Sequence, residues 1–236
     1  MIAAAWIPAS TWERVKTKPK ERVLQVTGSA KRRIVSDTIE WTAVVDTRDP
    51  DRVGAYRRLH ADVDKTVAYL AAQGIPKEQI RVSSATLQEL TRSEIVGSGD
   101  ERYERQVPDG FAAYQNVTVR STDVATVERV SREVTQLLES GISVSSSSPA
   151  YFYTKLSELK IEMLAEASKD ARVRAENVLE AAGGGAIARL RSADMGVINV
   201  NPPNSTSTSW DGNNDTTSLE KDIITIVHAS FELGDE

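Results

Sequence analysis

The stretch Tyr151–Glu176, YFYTKLSELKIEMLAEASKDARVRAE, decides how the rest of this 236-residue chain is read. Its spacing predicts a helix of roughly seven turns that opens near Tyr151 and stops at Gly183-Gly184-Gly185. Leu156, Leu159, Met163, Ala167, Ala171, Ala175, Val178 and Ala182 recur at three- and four-residue steps, so they form one apolar stripe. The alanines on it favour helix and allow close approach to a sheet or a second helix. Glu158, Glu162 and Glu166 sit four apart on another face. Paired carboxylates that do acid–base work come from separate elements around a cleft, and a metal would want His or Asp to converge with them. Only His60 and His228 are available. The charge density therefore reads as the wet face of a structural helix.

Upstream of this helix the periodicity changes. VLQVTGSAKRRIV (23–35) reads as a strand in which Gly28 marks a bulge or a close backbone approach. TIEWTAVVDT (38–47) is a second strand, with Ile39, Trp41, Ala43 and Val45 on one face. Asp49-Pro50 then predicts a helix start, with Asp49 as cap and Pro50 at the first position. Its seam would be Val53, Tyr56, Leu59, Val63, Val67 and Leu70. A strand near Ile80–Leu90 follows, then turn residues at 97–101 and 108–110, then a returning strand, FAAYQNVTVRST (111–122). Asp123 caps a second helix with a seam of Val127, Val130, Val134, Leu137 and Leu138. An extended segment at 142–153 completes strand, helix, strand, strand, helix, strand. That order is the βαββαβ pattern of a ferredoxin-like split unit.

Downstream, a strand-like segment near Ile187–Val200 precedes SLEKDIITIVHASFEL (218–233), whose apolar face is Ile223, Thr225, Val227, Ala229, Phe231 and Leu233. The fold class is therefore α+β. A ferredoxin-like unit at about 38–150 is inserted into a second α/β region, built from the first strand (23–37) and from 151–236. Residues 1–22 form an apolar stub and a charged linker. IAAAWIPA is either the last turns of a membrane anchor that begins ahead of Met1 or a plain tail. The loop 201–218, NPPNSTSTSWDGNNDTTS, reads as a flexible spacer or as a partner-binding arm, and Trp210 favours the arm.

Composition excludes several classes of function. With no cysteine, thiol catalysis, disulfides and zinc–thiolate sites are ruled out. The formal net charge of -5 argues against nucleic acid as partner, and Lys31-Arg32-Arg33 is too small a patch to reverse that. Gly183-Gly184-Gly185 follows a helix instead of preceding one, so it is a helix stop and not a phosphate loop. Neither GxSxG nor HExxH occurs. No catalytic, cofactor or metal residues are proposed from these patterns.

The long helix also carries a resemblance. Tyr153-Thr154, Leu156, Leu159-Lys160, Met163–Ala167 and Ala171–Glu176 resemble the signature stretch of the SIMPL-domain family, bacterial envelope proteins that include the periplasmic immunogenic proteins. VTGSA (26–30) is similar to the family's first strand, and RSTDVATV (120–127) to the entry of its second helix. Gly-Ile pairs at 74–75 and 141–142 fit its turns. The resemblance spans about 22–233. It implies a two-part α/β fold, a signal or membrane tether, assembly into higher oligomers and roles in envelope integrity or stress tolerance. It carries no catalytic residue.

Two functions follow as expectations. The first is a non-enzymatic, homo-oligomeric protein of the periplasm or cell envelope, tethered through an N-terminal segment and possessing envelope protein partners. Trp210, Tyr151 and Tyr153 are its candidate interaction residues. The alternative is a binding module for a small ligand, glycan or peptide, with Trp41, Tyr114, Tyr151 and Tyr153 walling a cleft between the two regions.

Overall fold

Alternation at Ile39, Trp41, Ala43 and Val45 has a direct structural result: all four side chains are buried, Trp41 at 1% exposure. They lie on β2 (Thr38–Asp49), which pairs antiparallel along its length with β5 (Tyr103–Ser121). The computed structural model describes residues 22–97 and 102–234. The stub and linker at 1–21, and most of the turn at 97–101, lie outside them.

β3 (Ile80–Val82) and β4 (Thr86–Val96) follow one another along the far side of β5. β6 (Val144–Ser146) and β7 (Ala150–Phe152) follow one another along the other side of β2. Taking each broken strand as one, the order is that of a split βαββαβ sheet. α1 (Arg52–Ala72) and α2 (Val124–Glu133) bury their apolar sides against it. β7 pairs Thr38–Glu40 with Ala150–Phe152, so the sheet runs two residues past the expected boundary at 150 and takes Tyr151 and Phe152 from the expected helix.

Two caps differ in outcome. Asp123 accepts from the Thr126 amide at 3.1 Å, as its position before α2 requires. For α1 the cap is Asp51, not Asp49: the Asp51 carboxylate accepts from the Gly54 amide, while Asp49 accepts from the Asp51 amide and pairs with Arg58. With the start moved, the buried stripe of α1 runs Ala55, Leu59, Val63, Thr66, Leu70, and Val53 and Tyr56 face solvent. Beyond Glu133 the chain tightens to a 3₁₀ turn, Val134–Ser140. Three residues per turn keep Val134 and Leu137 buried and swing Leu138 out.

The second region is a four-stranded sheet. β1 (Val23–Val35) pairs with β10 (Glu220–Leu233) in unbroken register. β8 (Ile187–Met195) and β9 (Asn199–Asn201), expected as one segment, take successive places on the other side of β10. α3 (Leu156–Ala182) crosses β1 and β10 with Leu159, Met163, Ala167, Ala171 and Ala175 facing the sheet. The stripe ends on Leu179, four residues after Ala175, so the expected Val178 and Ala182 turn to solvent. Gly28 makes that possible. A Cβ there would collide with the Ala167 carbonyl and the Ala171 amide, so Gly28 is a close approach and not a bulge.

Two chain crossings join the regions, Ser36–Asp37 and Tyr153–Lys155. They are tied together, since the Asp37 carboxylate accepts from the Thr154 amide (3.0 Å) and hydroxyl (2.8 Å). Burial pushes the Asp37 carboxyl up, but these bonds outweigh it and hold it below its ordinary value. The Ser36 amide donates to Leu219 O and the Tyr151 amide to Thr216 O, so the long loop also bridges the regions.

Candidate functional site

α3 covers only one face of the β1–β10–β8 sheet. On the opposite face the even-numbered residues of β10 point away from the helix. Asp222, Ile224 and Ile226 lie under the loop between β9 and β10, and His228 is exposed beyond it. This half-covered face holds the best-formed groove of the region.

The loop is pinned, so the expectation of a flexible spacer fails. Asn199 Oδ1 accepts from the Ser209 amide (2.8 Å) and the Asn213 amide (3.0 Å). The Asn201 side chain donates to Ser207 O and accepts from Asn213 Nδ2, both near 2.8 Å. Val200 exchanges backbone hydrogen bonds with Asn213 and Asp215. Both asparagines are buried, and an unpaired buried amide is costly, so they hold the loop in one shape.

Charge completes the clamp. Asp222, 1% exposed, receives Arg33 at 2.9 and 3.2 Å, Lys31 at 3.0 Å and the Asn204 amide at 2.7 Å. Hydrogen bonding from Arg33, ahead of every other influence, holds its carboxyl far below the usual range. The neighbouring Lys221, also 1% exposed, donates to Asp215 O at 2.5 Å and lies 3.6 Å from its carboxylate. Burial lowers the affinity of this ammonium for its proton. Arg32 turns to the other face and pairs with Glu162 and Glu166 of α3. Lys31 and Arg33 are thus neutralised by Asp222, and Arg32 by the helix carboxylates Glu162 and Glu166. Neither the basic run nor the carboxylate ladder is a site. Among the described residues no group of three or more His, Asp or Glu is placed to hold a metal.

The three expected interaction residues do not meet. Tyr151 donates its hydroxyl to Glu128 at 2.5 Å, and burial, then that bond, pushes it up to about 12. Tyr153 is half-buried against the core under α3. Both are structural. Trp210 is different: it stands 89% exposed at the tip of the turn Ser209–Gly212. Among the described residues, the expected aromatic walls of a cleft between the regions do not come together. Trp41 is buried with its Nε1 donating to Ser146 (2.9 Å), and Tyr114, paired with Asp46, faces the other side of that sheet.

Beside Trp210 lies a cavity of about 230 Å³, floored by Val197 and Ile226 and bordered by Asn199, Ser209 and His228. His228 Nδ1 is 3.0 Å from Thr27 Oγ1 on the adjacent strand. Sequence reading found Trp210 by its type and setting. It missed the Asn199, Asn201 and Asp222 pins, whose only trace was polar residues flanking an apolar strand.

A second exposed feature sits at the far end of the molecule. β4 and β5 continue past the end of β2 as a two-stranded arm, Thr91–Val96 against Tyr103–Pro108. Leu90 faces both Asp109 and Gly110, a bulge at which Gly110 takes φ +91°. The arm shows solvent on both faces, with Ile95 71% and Tyr103 58% exposed.

The family model described as SIMPL, a protein of unknown function (DUF541), matches residues 24–226, and the chain belongs to that family. No curated protein matches it.

Proposed function

With membership of the SIMPL family as premise, we propose that this chain is a non-enzymatic, homo-oligomeric protein of the cell envelope. The arm formed by β4 and β5 carries the reading. A two-stranded hairpin alone in water is at best marginally stable. Among the described residues neither of the arm's outer edges is paired, so each presents unpaired backbone donors and acceptors. Within the arm, Arg92–Asp109 (3.5 Å) and Arg105–Glu94 (3.4 Å) are exposed ion pairs, which add little. Ile95 and Tyr103 need cover, and a second copy of the chain supplies it along with strand partners.

Light scattering on the full chain tests this. The wild type gives a discrete multiple of 25.8 kDa, and Ile95→Asp with Tyr103→Asp falls to the single-chain mass. A monomeric wild type sinks assembly, while an oligomer that survives both changes removes the arm as its cause. The envelope placement rests on the family resemblance, and fractionation of the native cells tests it. Recovery only with the cytoplasm would reject it.

A further inference from the structure

We propose that the groove beside Trp210 binds a small, uncharged aromatic molecule bearing one polar group, of the phenol or indole class. The first support is the way Trp210 is presented. Its turn is closed by the Gly212 amide donating to Ser209 O and is gripped on both sides by Asn199. An indole presented to water on a tied turn gives folding almost nothing, and a guest that covers it accounts for the arrangement.

Size, charge and polarity then select the guest. A cavity of about 230 Å³ lies below the usual range for drug-sized ligands and suits one small aromatic molecule. No Asp, Glu, Lys or Arg lines it, although charged residues make up 27% of the chain. An ionic guest would lose water without gaining a counter-charge. A sugar would want several polar partners, and two acceptors on the wall are already engaged: Asn199 Oδ1 serves two amides, and Ser209 Oγ accepts from the Asp211 amide. The Thr208 hydroxyl also borders the cavity, and His228, with Nδ1 engaged by Thr27, has Nε2 for a hydroxyl or ring N–H. The apolar side chains of Val197 and Ile226 line the cavity together with the indole, and apolar surface of this kind suits an aromatic ring.

Titration of the ¹⁵N-labelled full chain with indole, phenol, indole-3-acetate and glucose decides it. The indole N–H resonance of Trp210, identified by its loss in Trp210→Phe, shifts saturably with indole and phenol, at a Kd of roughly 1 mM or tighter. The Trp41 resonance stays still. Indole-3-acetate binds at least tenfold more weakly, and His228→Ala weakens phenol at least fivefold. Val197 is 42% exposed, so Val197→Asp leaves the unfolding midpoint unmoved while placing a charge in the groove and abolishing the shift. Any of three results overturns the proposal: no saturation with indole or phenol, glucose binding in their place, or indole binding unchanged in folded Val197→Asp.

Discussion

The two sheets of this protein solve the same problem with opposite materials. The β2–β5 sheet is sealed by size: Ile39, Trp41, Leu59, Leu70, Val117 and Val119 fill the space beneath two helices. The β1–β10 sheet is sealed by closeness. One helix with an alanine stripe lies on Gly28, and what the helix cannot reach is held by polar pins, Asn199, Asn201 and Asp222. Bulk buries more apolar area and stabilises more. Close approach and buried polar pins hold a single geometry instead, because each fails abruptly when one partner is displaced. The candidate groove stands on the second sheet, where shape and not bulk is maintained.

Substitutions can break this contrast, and the largest effect belongs to the bulky half. Trp41→Ala leaves a cavity and removes the indole donor to Ser146, and its denaturant unfolding free energy falls by about 4 kcal/mol. Gly28→Val drives a side chain into the backbone of α3 and costs about 3 kcal/mol, although it adds apolar volume. Hydrogen exchange separates the two, since protection is lost first around β2 in one and around α3 in the other. If Gly28→Val is neutral, the close-approach account is wrong.

Next comes the charged pin. Asp222→Asn breaks the contacts with Arg33 and Lys31 and costs about 2 kcal/mol at pH 7. The folded carboxyl is held low, so its contribution is complete above the ordinary carboxylate value of about 4 and is lost as pH falls below it. Wild type and variant therefore converge in stability between pH 4 and acid unfolding. A difference that persists undiminished at the acid end would assign the effect to packing. The smallest change is Asn199→Ala, which costs about 1 kcal/mol globally. Locally its effect is larger, with amide exchange at Ser209 and Asn213 rising at least tenfold. If those amides stay protected, the turn holds itself and Asn199 is no clamp.

Much of the architecture was legible because it obeys local rules. Alternation at Ile39–Val45, the three- and four-step stripe from Leu159 to Ala175 and the cap at Asp123 depend on neighbours within one or two turns. The α1 cap was misread by two residues because Asp49 and Asp51 are both capping types flanking one proline. Tyr151 and Phe152 fell both in the expected extended segment at 142–153 and at the expected helix start, and strand pairing claims them. Within the candidate site, an isolated tryptophan in a polar loop was visible as a residue in search of a surface. Its neighbours were not.

By itself the sequence determined the α+β class, the order of elements, the alanine face of the long helix and the absence of thiol chemistry. Each of these follows from residue type or from short-range periodicity. The tertiary structure alone decided that a loop rich in Ser, Asn and Pro is tied down by hydrogen bonds, that Lys31 and Arg33 serve Asp222 while Arg32 serves α3, and that His228 comes beside Trp210. Those pairings join residues far apart in the chain, and no local period encodes them. They are fixed by strand register and by the demand that every buried polar group find a partner.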